Sequence, residues 1–339
     1  MSNKLHLLLL EWYDTHARVL PWRQTKAGSR EPYQVWLSEI LLQQTQVSRA
    51  SSYYESFLEA FPTLQDLAAA PLDTVLKLWE GAGYYARARS LHRAAQIMAE
   101  SGTPSAYLAW LELPGVGRYT AAAIASLSTN QAVAAVDGNV RRVLARLENN
   151  ANPSEDWLWA TATSYLEKDR AGAWNEALIE LGATICKPKK PLCLECPIAK
   201  HCLAFRANTM LSVPAPKARA KVKLVKAVAL LLHFGGEVYL ELRPKNGLLG
   251  GLYGVPLESI STTLEAALEL LLKRYTPLHS LGGWCGEVSH TMTHRQFEIS
   301  VFALESKRPD LVRPTTRAIA NLDRKILKLL ESGLPVTSS

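Results

Sequence analysis

Four cysteines within seventeen residues, Cys186, Cys193, Cys196 and Cys202, constrain this chain more than any other feature; only Cys285 lies elsewhere. Their spacing is C-x6-C-x2-C-x5-C, and thiolates gathered this closely point to a metal site. Zinc more often takes two C-x2-C knuckles. One short pair flanked by longer gaps suits a cubane iron–sulfur cluster, whose corners spread their ligands. Lys187, Lys189, Lys190 and Lys200 lie among the cysteines, and Pro188, Pro191 and Pro197 stiffen the loop. A rigid basic loop of this kind can follow a phosphate backbone.

A second feature lies upstream. Leu113-Pro114-Gly115-Val116-Gly117 forms a turn between apolar-periodic segments at about 104–112 and 118–128. Proline fixes one backbone angle and the glycines permit φ > 0. Without Cβ atoms, the turn and the helix start after it can offer bare N–H groups to an oxyanion. Twenty residues beyond Gly117 stands Asp137, before Gly138-Asn139 and a new helix. An aspartate at a helix start feels the positive end of the dipole, so it is expected to stay ionised. Alone, the first piece also fits a packing corner and the second an ordinary N-cap; their order and spacing say more.

Elsewhere the first two hundred residues read as helices. The spacing predicts one over 3–18 and another from Pro32 to about Ala50, with Tyr33, Trp36, Leu37, Ile40, Leu41 and Gln44 on one face. Glu39 borders that stripe beside Val35, Trp36 and Leu42, so a partly desolvated carboxyl could hold a proton near neutrality. A solvated helix glutamate is the plainer reading; the apolar flanks, Gln43, Gln44 and Gln46, and the later Asp137 weigh against it. Further helices are expected at 51–60, 63–70, 72–80, 86–101, 154–168 and 172–185. Gly81-Ala82-Gly83-Tyr84-Tyr85-Ala86-Arg87-Ala88-Arg89 interrupts them, with flat faces beside arginines, an arrangement suited to unstacked nucleotides. A core tyrosine pair with solvated arginines fits it equally.

From 206 to 226 the composition shifts to Pro, Ala, Val and basic residues, which reads as an extended cationic linker. Strands are then expected at 225–233, 236–243, about 278–290 and 296–304, with helices at 263–274 and 315–331: a separate α+β module. Charge follows the same division. Residues 1–205 hold 20 Lys or Arg and 20 Asp or Glu, and residues 206–339 hold 18 and 11. The excess of +7 therefore lies in the C-terminal part and favours a polyanionic partner. No apolar run reaches the length of a membrane span, and no signal peptide is apparent. A reducing compartment is expected, as a nucleoid-associated monomer in the cytoplasm.

Several longer stretches carry a resemblance. Leu-Pro-Gly-Val-Gly followed by Val-Asp-Gly-Asn-Val-Arg-Arg-Val resembles the helix-hairpin-helix DNA glycosylases. Pro-Tyr-x-Val-Trp-Leu-Ser-Glu-x-x-Leu-Gln-Gln-Thr-Gln-Val at 32–47, Gly-Tyr-Tyr-Ala-Arg-Ala-Arg at 83–89, the cysteine spacing and Gly-Leu-Leu-Gly-Gly-Leu-Tyr-Gly-Val-Pro at 247–256 are similar to the adenine DNA glycosylase family. The resemblance covers almost the whole chain. It implies a mainly α catalytic region, residues 1–205, carrying a [4Fe–4S] cluster on the four cysteines. It also implies a basic linker at 206–226 and a Nudix-like α+β domain at 227–339. No acidic metal-binding helix motif is evident around 250–275, so recognition is expected there rather than pyrophosphate hydrolysis.

The implied reaction is removal of adenine mispaired with 8-oxoguanine in double-stranded DNA. Carried over by position, Glu39 is the general acid and Asp137 the carboxylate facing the sugar. Arg23, Tyr119, Asn139 and Glu176 order water and sugar around them. Gln43, Gln44, Tyr84, Gly115, Gly117 and Arg141 face the duplex, and Thr293 and His294 read the damaged base. Tyr119 stands where bifunctional relatives of the endonuclease III type carry a Schiff-base lysine, so strand cleavage is not expected. Met292-Thr293-His294 replaces the family's usual Phe-Ser-His, which puts strict preference for 8-oxoguanine over guanine in question. Three other readings remain: an endonuclease III-type enzyme on oxidised pyrimidines, a non-enzymatic DNA-binding iron–sulfur protein, and a zinc protein.

Overall fold

The computed structural model describes residues 3–24, 30–216, 222–244, 249–275, 283–292 and 295–331. The chain divides into two compact units, one of Met1–Ala70 and Ser90–Lys217, the other of Pro71–Arg89 and Ala218–Ser339.

Helices come first: α1 (Asn3–His16), α2 (Pro32–Leu42), α3 (Val47–Ala60), α4 (Leu64–Ala69), α5 (Leu72–Leu78), α6 (Ala86–Ser101), α7 (Tyr107–Leu111), α8 (Arg118–Thr129), α9 (Gly138–Leu147), α10 (Glu155–Ser164), α11 (Ala171–Thr184) and α12 (Leu203–Arg206). In the first unit α2 is the central element. Val35, Trp36, Leu37, Ile40 and Leu41 are all buried, so this helix is covered on most of its circumference. It packs on α8, where Ala121, Ala122, Ala123 and Ala125 carry short side chains that let two backbones approach closely. Around α9 and α11 a second core collects Leu9, Val140, Leu144, Leu158, Trp174 and Leu178. Each such side chain contributes about 1.5–3 kcal/mol by leaving water.

The helix expected from Pro32 to Ala50 breaks in two. It stops at Leu42, and the next starts at Val47. Gln43, Gln44, Thr45 and Gln46 offer no apolar side chain to continue the buried stripe, and Gln44 takes a left-handed φ of 57°. The stretch 206–226 is also less of a linker than its composition suggests. Val213 is buried, Arg146 donates to its carbonyl at 2.9 Å, and the Ala215 amide bonds to Ala151 O at 2.8 Å.

In the second unit follow β1 (Lys223–Phe234), β2 (Glu237–Val238), β3 (Glu241–Leu242), β4 (Tyr253–Gly254), β5 (Leu257–Ser259), α13 (Leu264–Tyr275), β6 (Gly283–Met292), β7 (Arg295–Glu305) and α14 (Asn321–Glu331). The sheet runs β2-β1-β7-β6 with β5 also on β1, and β3 pairs β4 separately. β1 and β7 are parallel from Lys223↔Arg295 to His233↔Glu305. Six consecutive buried residues, Ala227 to Leu232, mark β1 as covered on both faces. Ala227, Ala229 and Leu231 share a core with Leu322 and Ile326 of α14; Val228, Leu230 and Leu232 share another with Ala267 and Leu271 of α13. A sheet between two helices is thus the α+β module expected. No helix among the described residues is long and apolar enough to cross a membrane.

Candidate active site

The first unit holds a cleft of about 500 Å3 lined by Arg23, Glu39, Gln43, Gln44, Tyr119, Asp137, Asn139 and Glu176 among others. Its size suits a small-molecule site. Residues more than a hundred positions apart meet here because α2 packs on α8, α8 on α11 and α11 on α9.

Glu39 leaves α2 into the interior and is only 6% exposed. Burial pushes its carboxyl up to about 7; the Tyr119 hydroxyl holds it down, while Glu176 and Asp137 push it further up. Its Oε2 is buried with no hydrogen-bond partner among the described residues. Tyr119 stands one residue into α8, and desolvation beside Glu39 and Asp137 keeps its own hydroxyl protonated.

Asp137 is the N-cap of α9. Its Oδ1 accepts from the Val140 amide at 2.7 Å and its Oδ2 from Asn139 Nδ2 at 2.8 Å. The sequence led us to expect the helix start to dominate this carboxyl. Instead, burial raises its proton affinity on balance, and the amide, Asn139 and Arg142 offset only part of that. Asn139 is itself gripped: Arg142 donates to its Oδ1 at 2.9 Å.

Glu176 behaves oppositely. Burial alone would raise it, but Arg30, Arg23 and Tyr13 outweigh that and hold it below the usual range. Arg23 Nε donates at 2.8 Å, Arg30 at 2.9 and 2.7 Å, and the Tyr13 hydroxyl at 2.5 Å. Arg18 clasps Glu180 at 2.6 and 2.9 Å, and Arg23 reaches Glu180 at 3.0 Å. The cleft therefore holds two carboxyls whose proton affinity burial raises, Glu39 and Asp137, and two pinned as anions, Glu176 and Glu180.

The hairpin turn lies in the same unit. Gly115 has φ of 78°, and a Cβ there would stand 2.7 Å from Ser90 Cβ. Gly117 is ordinary in φ, at −93°, and caps α8 with no side-chain bond, leaving first-turn amides for an anion. Arg141 is turned onto Glu155 and donates to Pro153 O at 3.4 Å, so its charge is already partnered. Gln43 donates to Thr120 Oγ1 at 3.2 Å. Tyr84 belongs to the second unit, 45% exposed with φ of 48°. Like Gln44, it is a non-glycine residue in a costly left-handed backbone, a feature common at functional positions. Thr293 and His294 lie outside the described residues.

Cys186, Cys193, Cys196 and Cys202 line one pocket with Ile185, Pro191, Phe205, Met210 and Arg146. Burial raises Cys196 to about 12, and the other three thiols push it further up. Cys193 and Cys202 are raised likewise. Four sulfurs that repel one another as anions in an apolar pocket call for a cationic centre. Among the described residues no group of three His, Cys, Asp or Glu is set to hold a single ion directly. Arg146, 3% exposed, donates to the carbonyls of Lys187 and Pro188 at 2.8 and 3.0 Å and to Cys186 Sγ at 3.3 Å. Arg142 donates to Cys186 O at 2.7 Å and Gly182 O at 2.7 Å. Two arginines one turn apart on α9 thus join the cysteine loop to the helix that Asp137 caps.

Sequence reasoning missed Tyr13, Arg30, Arg142 and Gly182, and gave Asn175 no role. Asn175 donates to Ser126 Oγ and Val133 O, both at 2.9 Å, and accepts from the Ala135 amide at 3.0 Å, which fixes the strand-like approach to Asp137. Only its polar type within an apolar helix face could have signalled it.

A model of the HhH-GPD superfamily of base excision DNA repair proteins matches residues 37–166, and a NUDIX domain model matches 227–329. The human adenine DNA glycosylase is 33% identical over 97% of this chain and 74% of its own length. That of Buchnera aphidicola subsp. Baizongia pistaciae (strain Bp) is 35% identical over 73% and 72%. Among solved structures, a thermostable thymine-DNA glycosylase is 30% identical with a TM-score of 0.54, covering 60% of this chain and 97% of that one. A non-covalent endonuclease III–DNA complex shares the fold at 23% identity and a TM-score of 0.52, over 61% of this chain and 99% of that one. Matched over 97% of its length at 33% identity by the human enzyme, the chain belongs to the adenine DNA glycosylase family.

Proposed function

We propose that this chain hydrolyses the N-glycosidic bond of adenine paired with 8-oxoguanine, or guanine, in double-stranded DNA. One observation carries the reading: Glu39, with proton affinity raised to about 7, shares a cleft with Asp137 and feels its charge. Glu39 protonates the departing purine, which turns a poor leaving group into a neutral one. As the C1′–N9 bond breaks, positive charge builds on the sugar, and the Asp137 carboxylate stabilises it or captures C1′. Glu39, now an anion, takes a proton from the water that completes hydrolysis. Asn139 and the Val140 amide orient Asp137; Glu176 and Glu180, held by Arg18, Arg23 and Arg30, order water at the cleft wall. Gln44 and Tyr84 enter the duplex and offset part of the few kcal/mol that base extrusion costs, roughly.

We also place a [4Fe–4S] cluster on Cys186, Cys193, Cys196 and Cys202, where it would staple the basic loop to α9. The apolar pocket and the mutual repulsion of the thiols support it. Tyr119 offers no amine, so the product is an intact abasic strand. The test is single-turnover cleavage of duplexes with adenine opposite 8-oxoguanine, guanine and thymine, with and without alkali. Strand breaks that appear without alkali, or efficient borohydride trapping, would overturn the monofunctional reading. Turnover of oxidised pyrimidines instead of adenine would overturn the substrate.

A further inference from the structure

The loop that carries Tyr84 is mounted on the second unit. Residues Pro71–Arg89 lie within the first third of the sequence, yet they cluster with Ala218–Ser339. Four polar ties make that mount. Lys77 Nζ donates to Thr315 O at 2.7 Å, Arg324 Nε to Glu80 Oε1 at 2.8 Å, Arg89 to Gly250 O at 2.5 Å, and the Tyr85 hydroxyl to Ile319 O at 3.3 Å. Tyr85, beside Tyr84, is 6% exposed, and its hydroxyl also accepts from the Gly81 amide at 3.4 Å. One buried oxygen thus joins the start of the loop to the segment just before α14. Inside the loop, the Arg87 guanidinium lies over the rings of Trp79 and Tyr84 at 5.0 and 5.7 Å and donates to Ala82 O and Gly83 O. Trp79 Nε1 donates to Gly83 O at 2.8 Å.

Tyr84 itself needs such support. A tyrosine at φ of 48° persists only where its surroundings over-determine the backbone. Its ring remains 45% exposed, and the ties of its neighbours add to the Arg87 contact in restraining it.

We propose that the C-terminal module is the splint of the Tyr84 loop, with Tyr85, Glu80 and Arg89 as positioning residues that hold Tyr84 ready to enter the base stack. The module then contributes to excision opposite any purine, apart from whatever it reads of the damaged base. This rests on the reading of Tyr84 as the stack-entering residue, and the test separates the two.

The experiment is a double-mutant cycle in the full-length protein, with Tyr84→Ala and Tyr85→Phe. Single-turnover excision opposite guanine is read beside the fluorescence of 2-aminopurine placed next to the mispair. Tyr85→Phe keeps the ring and removes only the hydroxyl; it should slow excision about 3- to 10-fold and reduce the fluorescence gain. In the Tyr84→Ala background it should slow excision by less than about twofold, since the supported residue is gone. Equal slowing in both backgrounds, or no slowing of the parent, would overturn the splint. Parental rates for Tyr84→Ala would overturn the stack-entry reading, and the splint with it. Should Tyr85→Phe lower the melting temperature, the Glu80–Arg324 pair decides: Arg324→Glu should slow excision, and adding Glu80→Arg should restore it. Failure of that swap to restore the rate counts against the proposal.

Discussion

Gly182 lies so close to Asn139 that a Cβ on it would stand 2.5 Å from the Asn139 Cβ and 3.0 Å from its Cα. The contact is between α11 and the first turn of α9, and the atoms it would displace are backbone as well as side chain. Asn139 donates to Asp137, so a methyl group on a neighbouring helix reaches the Asp137 carboxylate through one intermediate. Gly182→Ala should destabilise the first unit by about 1–3 kcal/mol and slow excision by more than that loss explains at temperatures where the protein stays folded. Thermal melting and single-turnover kinetics on the same preparation check it.

In the proposed reaction, the raised proton affinity of Glu39 should set the basic side of the pH profile. Excision should fall as pH rises through about 7, where the acid is lost. Asp137, also raised, must be ionised, so the acidic side should lie above the usual aspartate position. Glu39→Gln should reduce the rate about 10²- to 10⁴-fold. Stability follows the same proton. With a folded value above the unfolded one, the protonated form is favoured in the native state, so stability falls between pH 4.5 and about 7 by about 3 kcal/mol. Denaturant melts should show that slope flattened in Glu39→Gln.

Removing the Tyr119 hydroxyl should separate chemistry from protonation. That hydroxyl draws the Glu39 carboxyl downward, so Tyr119→Phe should move the basic limb of the profile upward while lowering the maximal rate. An unmoved limb would show that Tyr119 does not act on Glu39.

Cys196→Ser should lower bound iron and visible absorbance. It should also lower excision, because the carbonyls that Arg142 and Arg146 grip belong to the loop the thiols close. Iron analysis beside kinetics checks it; full activity in an iron-free preparation would contradict the coupling.

In the second unit Asp323 is fully buried and accepts from Arg243 at 2.7 and 2.8 Å and from the Val255 amide at 3.0 Å. Asp323→Asn leaves a buried guanidinium without its counter-charge. It should cost about 3–5 kcal/mol, read by calorimetry as an earlier melting step while the step of the first unit stays in place.

How far the chain declares itself in its sequence depends on the range of the interaction. Helical period located α2, α6 and α8, and the four thiols and the pair Glu39 and Asp137 stood out by type and spacing. Gln44 did not: it fits the face of α2 by period, and only the three-dimensional need for a turn removes it from the helix. Arg30 and Tyr13 hold Glu176 across 146 and 163 residues, and no local pattern marks either. Gly182 looks like any helix glycine until α9 is laid against it. The net direction of the Asp137 shift is likewise a balance between a local cap, visible in sequence, and burial, which is not.

Where a nucleophilic amine would let an enzyme of this shape cut the phosphodiester chain, Tyr119 presents a phenol. In the reaction proposed for it, the excised site therefore keeps a continuous backbone on both strands. Opposite an oxidised base that restraint would matter, because the duplex would not be opened at the moment when neither strand carries reliable information.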